Sequence, residues 1–115
     1  MYDNNDDKLI ESSPKMRGWL RELRRYVEAR NPMLSFSAVR YWAKFSSVHR
    51  AVAQLQVRKN IIKLFLRLDP SADPLLSPSP NTGGWEIAFP SVFRLELEED
   101  IPLAADFIQR SFLVD

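Results

Sequence analysis

The 115-residue chain carries no cysteine, one histidine and a net charge of +1, with 45% hydrophobic and 27% charged residues. Disulfides, thiolate nucleophiles and cysteine-held zinc are excluded, and the apolar content suffices for the core of one domain. The polar, acidic start MYDNNDDKLI is unlike a secretory signal, and no apolar run nears the roughly 20 residues that span a bilayer; a soluble, cytoplasmic protein without membrane contact is the expectation.

The small net charge conceals a strong asymmetry. Residues 1–11 hold one Lys against four acids, net −3; residues 12–67 hold thirteen Lys/Arg against Glu22 and Glu28, net +11; residues 68–115 hold Arg94 and Arg110 against nine acids, net −7. Such a distribution makes a field that the overall charge hides. The acidic segment 1–11 reads as a disordered tail, and 12–115 as a single domain.

In chain order, Ser12 or Ser13 before Pro14 marks a helix start. Met16, Trp19, Leu20, Leu23, Tyr26 and Val27 then recur at helical spacing, with Arg17, Arg21, Arg24 and Arg25 opposite. Asn31-Pro32 ends the helix, because proline disfavours α geometry in the residue before it. Three alternating runs follow. Residues 36–45 place Val39, Tyr41, Ala43 and Phe45 on one side and Arg40, Trp42 and Lys44 on the other. Residues 51–57 place Ala51, Ala53, Leu55 and Val57 opposite Gln54 and Gln56. Residues 61–68 place Ile62, Leu64, Leu66 and Leu68 opposite Lys63, Phe65 and Arg67. Arg58-Lys59-Asn60 reads as a hairpin turn with Asn60 at positive φ. Residues 69–84 hold four of the eight prolines and two of the three glycines and read as a loop. Within it Leu75-Leu76 either docks a partner or tucks onto the core. Trp85–Phe89 and Val92–Leu97 read as one strand interrupted at Pro90, or two, with Phe93, Leu95 and Leu97 inward. Glu98, Glu99 and Asp100 open a last helix whose apolar face holds Leu103, Phe107, Ile108 and Phe112. The fold class is therefore α+β: an antiparallel sheet of four strands, or five, with an N-terminal and a C-terminal helix on one face.

Four stretches carry a family likeness: Tyr41-Trp42-Ala43-Lys44, the hairpin from Ala53 to Leu68, the Gly83-Gly84-Trp85 turn and the C-terminal FRLELEEDIPLAADFIQRSF. Together they resemble a family of small domains of unknown function often labelled "predicted transport protein", which is itself similar to the frataxin-like α+β group. Members commonly have a histidine in the turn before the last strand, where this chain has Gly83-Gly84-Trp85-Glu86. Some frataxin-like proteins are proposed to bind DNA, and the resemblance implies that class of partner by analogy alone.

No catalytic constellation emerges from the residues. His49, in the Ser46–Arg50 link, has no strained nucleophile elbow around it, and the acids Glu96, Glu98, Glu99 and Asp100 lack the alternating ligand spacing of a calcium loop. The expectation is a protein that is not an enzyme and needs no cofactor or metal. The alternation instead gathers Arg40, Trp42, Lys44, Lys63, Phe65 and Arg67 with Gln54 and Gln56 on the sheet face away from the helices, Arg58 at the adjoining turn, and Arg21, Arg24 and Arg25 on the first helix. Cations, amides and exposed aromatics are the chemistry that contacts phosphates and stacks on bases. The leading expectation is a non-catalytic module that binds nucleic acid. The alternative is a protein-interaction or homodimerisation domain, because exposed apolar groups also mark partner contacts.

Overall fold

The computed structural model describes residues 13–80 and 85–114; the acidic segment 1–11 and the Gly83-Gly84 turn lie outside the described residues. Helix α1 (Pro14–Arg30) starts where Ser13 Oγ accepts the Met16 N–H at 3.2 Å, with Pro14 in the first turn. It stops at Asn31, whose Oδ1 accepts the Met33 N–H at 3.1 Å and whose Nδ2 donates to Gln109 Oε1 at 3.1 Å. Met16, Trp19, Leu20, Leu23 and Val27 are buried. Tyr26 is not: the stripe is rotated towards the sheet edge, so Arg24 is covered instead and Tyr26 faces out.

Six antiparallel strands form one sheet in the order β1-β2-β3-β4-β6-β5: β1 Ser35–Val39, β2 Trp42–Ser46, β3 Ala51–Val57, β4 Ile62–Leu66, β5 Ser77–Pro78 and β6 Ser91–Leu95. The α+β class and the helix at each end of the chain agree with the sequence pattern; the strand count is higher. The expected single strand 36–45 is a hairpin, in which Val39 pairs with Trp42 across a two-residue turn, Arg40-Tyr41. Such turns favour Gly or Asn at positive φ, and here Arg40 takes φ 56°, so no turn residue marks the place. Pairing across the turn puts Val39 beside Trp42 and both away from the core, where plain alternation separates them. The β3–β4 connection joins Val57 and Ile62, closed by the Arg58 N–H on the Ile61 carbonyl at 2.9 Å, and Asn60 keeps a negative φ.

Phe36, Ala38, Ala43, Phe45, Ala53, Leu55, Val57, Ile62, Leu64, Leu66, Phe93 and Leu95 fill one face of the sheet. Helices α1 and α3 (Ile101–Phe112) cover that face, with Phe107 on Phe93 at 5.0 Å between ring centroids. A bulge explains the one break in alternation along β3. Phe45 pairs with Ala53 and Ser46 with Ala51, so Val52 turns into the core and Ala51 moves to the other face. Ser111, fully buried on α3, donates to the Val52 carbonyl at 2.7 Å and accepts the Arg67 N–H at 2.9 Å, which ties helix to bulge. Leu97 lies beyond the end of β6 and is exposed, because the chain leaves the sheet for the 3₁₀ turn Glu98–Asp100. Neither Leu97 nor Asp100 caps a helix with its side chain.

The proline-rich segment wraps the β6 edge. Asp69 Oδ1 accepts from the Ser71 hydroxyl at 2.6 Å and N–H at 2.8 Å, which holds its carboxyl below the usual range and closes the 3₁₀ turn Pro70–Ala72. Asp73 meets Arg110 of α3 at 3.3 Å, and Leu76 enters the main core while Leu75 stays exposed. β5 then pairs with β6, and its Pro78 suits an edge. The run Trp85–Phe89 contains one helical turn, α2 (Trp85–Ala88), rather than a strand. It delivers Phe89 to the face opposite the helices, where Phe89, Phe65, Val92 and Ala51 form a second small cluster. No helix among the described residues is long and apolar enough to cross a membrane.

Candidate ligand face of the sheet

The strand registers arrange the helix-free face as two cross-strand rows. One runs Val39, Trp42, Gln56, Lys63, Arg94; the next runs Ser37, Lys44, Gln54, Phe65, Val92, Ser77. Neighbours within a row are one strand spacing apart, about 4.8 Å. The face divides in two. Over β4 and β6, Phe89 covers Phe65, which is only 6% exposed. Phe65 is therefore not the exposed aromatic that alternation implies: a segment 24 residues further along the chain returns to bury it. Over β1, β2 and β3, Trp42 is 39% exposed and Lys44 is exposed, while Ser37, Gln54 and Gln56 are half-buried. The Trp42 ring leans across β3 to within 6.1 Å of the Phe65 ring, which fixes its position without hiding it.

Lys44 is exposed and Lys63 half-buried on this face; Arg40 and Arg58 are exposed in adjacent turns at one end of the sheet, where the Val57 N–H donates to the Tyr41 carbonyl at 2.7 Å. Among the described residues, none of these four cations forms an ion pair. Lys63 even lies directly across from Arg94, an arrangement that costs a sheet stability. Among the described residues Arg94 is answered only by Glu96 at 3.6 Å, both exposed.

The remaining expected site residues lie elsewhere. Arg67 sits at the opposite end of the sheet, half-buried, and its pKa is lowered by burial and by the nearby charge of Arg50. Arg50 in turn donates to the Val114 carbonyl at the end of α3, where cations suit the helix dipole. Arg21, Arg24 and Arg25 belong to α1, on the other side of the sheet from Trp42, and cannot share one surface with it. Arg24 is 4% exposed, stacked 4.1 Å over the Phe36 ring and paired with Glu28 at 3.1 Å; it is a packing residue rather than part of an exposed basic side. Arg25 is exposed but pairs with Glu22, whose hydrogen bond raises its pKa. Sequence reading passed over Tyr41 and Val39, which join Trp42 on the exposed hairpin end; only the hidden turn explains their exposure.

Ser47 Oγ accepts from the His49 and Arg50 backbone N–H groups and donates to the Arg50 carbonyl, which closes the turn. Among the described residues no group of three or more His, Asp or Glu side chains is placed to hold a metal ion. Comparison with family models, curated proteins and solved structures finds no match.

Proposed function

We propose that this chain is a non-catalytic binding module whose helix-free sheet face takes nucleic acid. One observation carries the reading: exposed Trp42 shares its sheet face with Lys44 and Lys63, with Arg40 and Arg58 in the adjoining turns, and none of the four is ion-paired among the described residues. A protein using these cations only for stability would set acids against them, as α1 does with Glu22 and Glu28. The test is binding of short DNA and RNA oligonucleotides across a salt series. If all four cations meet single-strand phosphates, the logarithm of affinity falls with that of salt at a slope of about −3, through counterion release. Absence of binding at low salt overturns the reading.

A second reading, a homodimer, is favoured by a separate observation. Of the exposed large apolar residues, Met33, Val39, Tyr41, Trp42 and Val48 all flank the β1–β2 edge. β1 itself (SFSAV) carries no charge, proline or bulge to discourage pairing with another strand. The outward amides of β1 belong to Phe36 and Ala38. Two-fold antiparallel pairing about Ser37 thus sets Phe36 against Ala38 of a second copy, and brings the Met33 end to the Val39 end twice. Ser35→Lys discriminates between the two readings. It puts an edge charge where a dimer cannot tolerate one, and leaves nucleic-acid binding intact or tighter. Sedimentation of the parent chain as a monomer at high concentration removes the dimer.

A further inference from the structure

Lys63 and Arg94 are direct cross-strand neighbours on the helix-free face, and Gln56 stands on the other side of Lys63 in the same row. An amide, an ammonium and a guanidinium therefore line up over β3, β4 and β6, each about 4.8 Å from the next. Among the described residues, none of these three side chains makes a hydrogen bond. Glu96 reaches Arg94 at 3.6 Å, too long for one, so the guanidinium keeps its donors. From this row we infer a subsite for a phosphate monoester, the terminal phosphate of the ligand, held by Arg94, Lys63 and Gln56. The inference rests on the nucleic-acid reading for the source of that phosphate, and it adds Arg94 and Gln56 to the four cations named there.

The number of donors selects the anion. Residues directly opposite in an antiparallel pair have Cβ atoms about 4.5–5.5 Å apart, so both cationic heads reach one small anion. A guanidinium fork takes two oxygens in parallel hydrogen bonds, and an ammonium adds a point charge. The fork alone uses up a carboxylate. A phosphate monoester carries three strong acceptor oxygens and close to two negative charges, which matches one fork, one ammonium and two positive charges. The Gln56 amide adds a neutral donor. Energetics point the same way. Like charges set opposite each other cost a sheet stability, and an anion between them turns one repulsion into two attractions.

Position selects a terminal phosphate. The row ends at Arg94, because β5 pairs only with Ser91 and Val92. Cations continue in one direction alone, through Lys63 to Arg58, which is exposed two residues beyond Gln56, and to Arg40. A strand end at Arg94 leaves its following phosphates to those turns. Glu96 opposes any anion beside Arg94 and competes with it for the guanidinium.

The experiment uses the full chain and a 12-nucleotide oligothymidylate with a 5′-phosphate, a 3′-phosphate or neither. One terminally phosphorylated form is expected to bind about tenfold tighter than the unmodified strand, the worth of a charge-assisted hydrogen bond. Arg94→Gln and Lys63→Gln should each bring that preference within twofold of none without lowering the denaturation midpoint, since each removes a like-charge contact. Arg94→Lys, which keeps the charge and loses the fork, should retain only part of the preference, and Glu96→Gln should enlarge it. A second arm uses inorganic phosphate against chloride at equal ionic strength. Phosphate stabilises folded chains in general, so the readout is the extra rise in melting temperature of the parent over Arg94→Gln. Equal affinity for all three oligonucleotides, or a preference that survives both glutamine variants, overturns the subsite while the nucleic-acid reading stands. No oligonucleotide binding at low salt, with the phosphate difference present, overturns that reading and leaves a site for a small phosphorylated ligand. Neither effect overturns both.

Discussion

Two residues concentrate the chemistry of this fold, and each makes a separate prediction. Ser111 has no solvent exposure, and its hydroxyl serves the Val52 carbonyl and the Arg67 N–H at once. Ser111→Ala strands both backbone groups where water cannot replace the hydroxyl. The expected cost is about 1–3 kcal/mol, read as a lower denaturation midpoint with an unchanged m-value. Arg40 is the opposite case. At φ 56° a non-glycine residue sits at a cost of about 1–2 kcal/mol, and the sequence keeps an arginine there rather than glycine. Arg40→Gly should therefore raise the melting temperature while weakening nucleic-acid binding and shallowing its salt dependence. A variant both more stable and unimpaired in binding would show that the arginine has no ligand role.

At the scale of elements, the segment after β4 decides which half of the face is usable. It starts on the helix side with Leu76, crosses the β6 edge as β5, and returns on the open side with Phe89. Phe89→Ala opens the small Phe65–Val92 cluster and is expected to cost about 3 kcal/mol, the lower end for a buried phenylalanine. It should also give Phe65 back to solvent, seen as new binding of a hydrophobic dye in a chain that still unfolds cooperatively. Much of the element pattern was legible in the sequence. The Ser13–Pro14 start and Asn31-Pro32 stop of α1, the alternation of β3 and β4 and the apolar face of α3 all carry local signals, and each appears in the fold. The failures share one cause, contacts that local pattern cannot encode. The Arg40-Tyr41 turn has no turn residue, the Val52 bulge is held by Ser111 far along the chain, and the burial of Phe65 depends on Phe89. Arg24 reads as a surface cation because only tertiary structure brings Phe36 beneath it.

For the whole molecule, the cations of the basic half of the chain are divided between α1 and the helix-free face of the sheet, with the core between them. On the helix side, acids answer three of the cations: Glu28 pairs with Arg24 and Glu22 with Arg25 within α1, and Asp106 of α3 reaches Arg30 at 3.0 Å. On the open side the described residues supply only Glu96, spaced at 3.6 Å from Arg94, and leave Lys63 facing that arginine across the β4–β6 ladder. Under the nucleic-acid reading, stability and binding pull in opposite directions at Lys63. Reversing its sign should replace a like-charge pair by an opposite one and stabilise the sheet by about 0.2–1 kcal/mol. The same Lys63→Glu change takes two units of positive charge from the helix-free face, so affinity for nucleic acid should fall and its salt slope should lose about one unit. Stability gained together with affinity lost would assign the unpaired lysine to ligand binding. A chain stabilised with unchanged affinity would confine the ligand to the β1–β3 part of the face, beside Trp42 and Lys44.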